Sequence, residues 1–421
     1  MNTTVICGAG IAGVATAHYL KKLGSTDRIV LVDRAQPLSF TTAASGENFR
    51  DYWPQRCMQD FISNSLKLIR ELDDDYETLF SFKQTGYEFV SQDEDREIFP
   101  SDDISNDEGA RAIQRILSPC LHATRPYLGD NIKQVTQITQ AGSFDVYSLG
   151  QYLYSQARAA DVEFKQVTVG NIEMSPDGTY ALSLHQGNEA SILKANTLIL
   201  AGGPLTPKLA ACLGIKLPLL SYLQRKIVLN DPLSIIPRDM PFTIFADPQH
   251  LSWTDEEKVA FSEDAELQWL LNEFPIGLHI KPESDSQIKL GWAYNRKSEQ
   301  TEFTAYDDES FPDVVMRGAS RFIPGLAQYI ENMPTPITQI AGYYTRTAEN
   351  WPLIGLLQEN CYTVSGLSGY GTMAGCAAGE LCAQTILDEQ LPWYARNFDP
   401  SRYQDATIMA EIAAISSDGQ L

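Results

Sequence analysis

The chain has 421 residues, more than one compact core usually holds, so two folded units are expected. It carries 32 Lys and Arg against 54 Asp and Glu, a formal net charge of −22, which argues against nucleic acid and anionic membrane surfaces because both call for basic patches. Its seven cysteines include no Cys-x-x-Cys and its five histidines no metal-ligand spacing, which points to reduced, mostly buried thiols, a cytoplasmic location and no bound metal.

The N-terminus lacks a basic region and a cleavage site, so no signal peptide is expected, and no apolar run reaches the ~18 residues of a spanning helix. Val5-Ile6-Cys7 is a short apolar run ending at Gly8, the pattern of a buried parallel strand. Gly10 to Leu23 follows with helical apolar spacing and a stop at Gly24. Arg28 to Val32 is a second strand, ending at Asp33. Strand, glycine turn, helix and strand make one right-handed βαβ unit.

The turn reads Gly8-Ala9-Gly10-Ile11-Ala12-Gly13. In this pattern Gly8 permits the tight turn, Gly10 a close approach of backbone to a diphosphate, and Gly13 close packing of helix on strand. The helix start presents free N–H groups to phosphate. Asp33, 20 residues beyond Gly13, stands where a carboxylate grips ribose hydroxyls. A carboxylate there disfavours a 2′-phosphate. It does not separate NAD from FAD.

Further along, Thr41 to Trp53 reads as a loop, and Gln55 to Leu72 as a helix burying one face. The acidic stretch Gln92 to Glu108 reads as an exposed connection, Tyr147 to Ala160 as a helix, and Val162 to Val169 as a strand. Tyr180–Leu184 and Ala190–Leu193 form a small antiparallel excursion. Thr197 to Leu200 is a buried strand leading into Ala201-Gly202-Gly203, a turn that lets backbone pass close to a nucleotide. Between 221 and 335, strand-like pieces at Lys226–Leu229, Phe242–Phe245, Gly277–Ile280 and Gln287–Trp292 alternate with loops and an acidic helix near 254–272. That pattern predicts an α+β unit with a mainly antiparallel sheet. Cys361–Val364 returns to buried-strand character, and Gly366-Leu-Ser-Gly-Tyr-Gly371 opens a helix of small residues whose N–H groups face an electron-rich partner.

Taken together these pieces resemble the FAD-dependent D-amino-acid oxidase-like superfamily, nearest its sarcosine oxidase and dimethylglycine dehydrogenase branch. The resemblance runs from the N-terminal glycine motif with Asp33 through Ser45-Gly-Glu-Asn-Phe-Arg50 and Leu200-Ala-Gly-Gly-Pro204. It continues in Gly277-Leu-His-Ile-Lys-Pro282, Ile288-Lys-Leu-Gly-Trp292, Gly342 to Gly355 and Gly366 to Gly371. Each piece is loose, but their number and order are specific. The implied fold is an α/β FAD-binding Rossmann-like unit (1–85, 145–220 and 336–421) plus an α+β substrate unit (86–144 and 221–335) with a mainly antiparallel sheet.

The resemblance implies a non-covalent FAD roofed by that sheet, oxidation of a C–N bond in a small amine or amino acid, and hydrolysis of the imine product. Its cofactor set is Gly8, Gly10, Ile11, Ala12, Gly13, Asp33 and Arg34, then Ser45 and Gly46, then Val169, Ala201 and Gly202. Gly342, Gly369, Tyr370, Gly371, Thr372 and Met373 complete it. Lys289 matches the lysine that promotes the oxygen reaction in some sarcosine oxidases, and Arg50 an arginine beside the flavin. His279 and Tyr294 are candidates for acid–base or hydrogen-bonding roles. Tyr222, Trp292, Tyr344 and Tyr370 supply aromatic walls for an amine, and Arg346 an anchor for a carboxylate.

The chain departs from the branch in three places. Gly342 replaces the flavin-linking cysteine, Ala293 a family histidine, and Met373 a lysine. Substrate chemistry therefore differs from sarcosine oxidation. Rival readings are a flavin monooxygenase, an NAD-dependent dehydrogenase and a flavin-binding subunit of a larger complex; homo-oligomer formation is left open.

Overall fold

Val5 and Ile6 point in opposite directions from one strand, and that alternation organises the first half of the molecule. In the computed structural model, which describes residues 1–99, 113–118, 120–295, 301 and 308–415, this strand spans Thr3–Cys7. It is flanked by parallel neighbours Arg28–Asp33 and Thr197–Leu200, in register Val5 to Val30 and Val5 to Leu198. The sheet has six strands, in the order Leu353–Gln358, Cys361–Ser365, Thr197–Leu200, Thr3–Cys7, Arg28–Asp33, Glu163–Gln166. The Leu353–Gln358 strand runs antiparallel to its neighbour and the others are parallel.

Ile6, Ile29, Leu31 and Ile199 face a helical layer that includes Ile11–Lys22, Arg56–Arg70, Val146–Ala159 and Gly371–Ile386. Val5, Val30, Val32 and Leu198 face a three-stranded antiparallel sheet formed by Thr168–Met174, Tyr180–Gln186 and Glu189–Ala195. The strand expected over Val162–Val169 is broken. The Val167 N–H donates to the Asp33 carbonyl, and the chain leaves the six-stranded sheet for the three-stranded one.

The second half is an eight-stranded mixed, mainly antiparallel sheet. It joins segments far apart in sequence, including Tyr87–Ser91, Leu220–Asn230, Phe242–Phe245, Leu278–Pro282, Gln287–Trp292 and Thr338–Arg346. The strand at Thr338–Arg346, which the expected division gives to the nucleotide-binding unit, pairs along Leu220–Asn230. One face of this sheet sends Ile227, Leu229, Leu278, Ile280, Ile288 and Leu290 into a core closed by the helix Phe311–Ser320. The opposite face looks toward the first unit.

The acidic helix spans Asp255–Glu263 and starts in a Thr254/Glu257 capping box. Of the acidic connection, residues 92–98 are partly or fully exposed, and 100–108 lie outside the described residues. Five of the seven cysteines are buried. No described helix is long and apolar enough to cross a membrane.

Candidate active site

The site is built where the first βαβ unit meets the face of the large sheet opposite its apolar core. Gly8 takes a φ of +117°, a conformation L side chains rarely adopt, and a Cβ there would lie 2.2 Å from the Ala201 carbonyl oxygen. A Cβ on Gly13 would lie 1.9 Å from the Gly8 carbonyl oxygen. Only glycine at both positions lets the turn fold back against its own strand and helix. No side chain caps the following helix. Its Ile11 N–H instead donates to Thr42 Oγ1 at 3.1 Å, and an opening helical turn leaves further N–H groups without intrahelical partners. Asp33 accepts from the N–H groups of Ala9 at 2.8 Å and Ala35 at 3.0 Å. This fixes its carboxylate at the edge of the glycine turn.

A cleft of about 790 Å³ opens there. Gly8, Gly10, Ile11, Ala12 and Asp33 form one wall, and Ala201 and Gly202 another. Gly371 and the loop Gln36–Thr42 complete much of the rest. A glycine-walled cleft with a helix start at one place and a fixed carboxylate at another fits a dinucleotide.

A second cavity of about 660 Å³ is lined by Ser45, Gly46, Glu47, Asn48, Arg50 and Trp53 from the loop and short strand. Gly369, Tyr370, Thr372 and Met373 line it from the C-terminal helix start. The large sheet contributes Tyr87, Lys226, Phe242, Ile244, His279 and Tyr344. Ser45 and Thr372 join loop to helix through their hydroxyls at 3.2 Å. The Tyr370 hydroxyl donates to the Asn350 carbonyl at 2.6 Å, which holds its ring edge-on to Trp53. The Arg50 guanidinium stacks on that Trp53 ring, 4.4 Å from its centroid.

His279 Nδ1 lies 3.0 Å from the Gly277 carbonyl oxygen, which only accepts, so Nδ1 carries the proton and Nε2 the lone pair. Burial, reinforced by Lys226, Lys281 and Lys289, pushes His279 down to about 4, so the ring is neutral. Burial also drives the Lys226 ammonium down to about 8, with Lys289 and Lys281 adding repulsion. The Tyr344 phenol is pushed up to about 12 by burial.

Other expected positions fall elsewhere. Lys289 is absent from the walls of both cavities; it is buried and bonded to Glu283 at 2.5 Å, with Glu47 at 3.6 Å. Trp292 and Tyr294, expected beside the substrate and the chemistry, pack in the core on the other face of the sheet. Strand alternation puts Trp292 opposite to Lys289, and its indole N–H donates to the Pro275 carbonyl. Arg346 turns back onto the carbonyls of Thr347 and Ala348, and Tyr222 is half-buried outside the cavity walls. Val169 packs under the three-stranded sheet because the strand break carries it away from the cleft. Arg34 is exposed outside the cleft walls. Gly342 lets the large sheet approach the loop, since its Cβ would press on Ala44 at 3.0 Å.

Residue types alone did not flag Thr42 or Lys226. The signals were a hydroxyl in the polar loop after Asp33 and a lysine standing just before the apolar run Ile227-Val228-Leu229 of a strand. Among the described residues, no group of His, Cys, Asp and Glu is placed to hold a metal ion.

Comparison with known proteins defines the class. The model of the FAD dependent oxidoreductase family matches residues 3–385, and the chain belongs to that family. It is 23% identical over 411 residues to mitochondrial dimethylglycine dehydrogenase of Rattus norvegicus, an alignment covering 95% of this chain and 44% of the relative. The mouse protein of the same name is 23% identical over 412 residues with the same coverage. The chain thus spans less than half the length of these relatives.

Among solved structures, the chain is similar to L-proline dehydrogenase from P. horikoshii, with a TM-score of 0.72, 19% identity, and coverage of 96% of this chain and 98% of that one. It is also similar to iminodiacetate oxidase from Chelativorans sp. BNC1, with a TM-score of 0.71, 18% identity, and coverage of 94% and 98%. At these identities the structural likeness speaks to the fold.

Proposed function

We propose that the protein is an FAD-dependent oxidase or dehydrogenase acting on a C–N bond of a small amine or amino acid, with FAD held non-covalently. The observation that carries this reading is the adjacency of two chemically different cavities, Gly371 lining one and its neighbours Tyr370 and Thr372 the other. One is glycine-walled and polar-edged, and the other is aromatic with a single arginine in its wall. The names of the relatives, a dehydrogenase of dimethylglycine, one of proline and an oxidase of iminodiacetate, support the same bond class.

A bound FAD supplies the acceptor for the electrons that leave the substrate. The chain's own residues supply the rest. Backbone N–H groups at Gly10 to Ala12 would hold the diphosphate, beside the Thr42 hydroxyl that the Ile11 N–H meets. Asp33 accepts from sugar hydroxyls. Ser45, Gly46 and the helix start at Gly371 to Met373 would seat the ring end of the nucleotide.

In the second cavity Arg50, kept planar against Trp53, offers a fork to a substrate carboxylate. Tyr344, Tyr87, Phe242 and Trp53 exclude water around the amine. His279 Nε2 accepts a hydrogen bond from the substrate, and its low basicity keeps the ring from competing with the amine as a cation. Excluding water also protects the imine until it leaves for hydrolysis.

No cysteine lines either cavity, so neither wall offers a thiol for a thioether link to the flavin. Acid precipitation is expected to leave the flavin in the supernatant; a yellow pellet contradicts that part. The reaction is tested by mixing flavin-loaded protein anaerobically with a panel of primary, secondary and tertiary amines and amino acids. At least one class is expected to bleach the visible absorption; bleaching by NAD(P)H alone, with no response to any amine, overturns the assignment.

A further inference from the structure

Three lysines stand on one buried face of the large sheet. Lys226, Lys281 and Lys289 are 7%, 8% and 5% exposed. The register sets Lys289 across from Lys281, and Lys226 across from Gly291. Two carboxylates answer the three ammonium groups, and both sit at the same end. Glu283 lies 2.5 Å from Lys289 and 3.5 Å from Lys281, and Glu47 lies 3.6 Å from Lys289. Lys226 instead donates to a neutral acceptor, the Ala44 carbonyl, at 3.0 Å. Of the three, Lys226 alone lines the second cavity. Glycines make room for it: Gly291 opposite, and Gly46, whose Cβ would lie 3.7 Å from Lys226 Cε.

A buried cation whose described bond is to a neutral carbonyl is poorly compensated, and an anion entering the cavity relieves it. We propose that Lys226, rather than Lys289, presents the positive charge to the reaction cavity and recruits a small carboxylate or oxyanion there, while Glu283 and Glu47 hold Lys289 in a positioning role. This rests on the reading that the second cavity receives the ring end of FAD.

The groups around Lys226 are Glu47 from the loop, Lys289 from the strand beside it, and His279, Lys281 and Glu283 from the next strand; Ile340 lies opposite on the edge strand. Arg50, Tyr87, Tyr344 and Tyr370 line the same cavity. Burial, with the two other lysines adding repulsion, opposes the charge on Lys226, so it is lost as pH rises through about 8, and anion recruitment weakens with it.

The probe is sulfite, titrated into flavin-loaded protein and read as loss of visible flavin absorption. Lys226→Met is expected to weaken sulfite binding at least about tenfold and Lys289→Met by less than about threefold. The ratio of wild-type to Lys226→Met affinity should fall as pH rises through about 8. A tenfold loss in Lys289→Met with Lys226→Met near wild type overturns the proposal. If Lys226→Met does not retain flavin, Lys289→Met decides: a sulfite affinity that still falls with rising pH, now above about 8 because the repulsion from Lys289 is gone, supports Lys226, and loss of that pH dependence refutes it. Protein that takes up no flavin defeats the earlier reading instead, so the two failures are distinguishable.

Discussion

At Gly13 the nearest obstacle to a side chain is the carbonyl oxygen of Gly8, which is backbone and has nowhere to go. Gly13→Ala is therefore expected to lower stability by about 2–3 kcal/mol, the upper part of the overpacking range, and to abolish FAD retention. Thermal midpoint and flavin content after gel filtration check this; a variant that stays yellow with an unchanged midpoint contradicts it. Arg50→Met, where the wall loses its guanidinium, should raise KM for amino acids by about 10–100-fold through loss of a charged hydrogen-bond pair, and leave amines lacking a carboxylate within about twofold. Equal losses for both substrate types would remove Arg50 from carboxylate recognition.

The glycines and Asp33 were legible in the sequence because sterics and charge admit few alternatives at those places. Lys289 and Lys226 were not separable that way. Each is a lysine on the same face of the sheet, and only the folded arrangement, with Lys289 across from Lys281 and Lys226 in the cavity wall, shows which one meets the cavity.

Among elements, the contact between the helices Ile11–Lys22 and Gly371–Ile386 ties the nucleotide turn to the C-terminal half of the site. Gly375 and Gly379 set their spacing: a Cβ at Gly379 would lie 2.5 Å from the Ala15 carbonyl carbon, and one at Gly375 2.7 Å from Ile11 Cγ1. Gly379→Ala is expected to push the helices apart, destabilise by about 1–3 kcal/mol and weaken FAD binding, since both helix starts line the cleft. An FAD titration with an unchanged dissociation constant would show that the spacing does not matter to the cofactor.

Local pattern revealed these helices and the central strands, whose apolar runs and glycine stops are self-contained signals. It did not reveal that Tyr87–Ser91 pairs with Phe242–Phe245, or Thr338–Arg346 with Leu220–Asn230. Such pairings depend on which distant edges remain open. Alternation did carry one unused message: Lys289 and Trp292 lie three apart on a strand, so they face opposite ways and cannot share a cavity.

For the whole molecule, acid sensitivity follows from two desolvated histidines, His18 and His279. Burial pushes both His18 and His279 down to about 4, with nearby lysines adding to the effect. Between about 4 and 6.5 the unfolded chain binds protons that the folded chain refuses, so stability is full above about 6.5 and falls as pH drops toward 4. The expected slope reaches roughly 1.4 kcal/mol per pH unit for each histidine. Denaturant midpoints measured at successive pH values should show it, and His18→Gln should flatten it; an identical slope in that variant would place the sensitivity elsewhere.

Every proposed role in the site depends on the glycine turn and Asp33 gripping a flavin nucleotide. The most direct test of that grip is a titration of flavin-stripped protein with FAD, followed by fluorescence quenching and by the visible spectrum after gel filtration. The account predicts one FAD per chain, bound tightly by the unaltered protein and lost in Gly13→Ala. Protein that stays colourless with excess FAD, or that binds it equally well without Gly13, would contradict it.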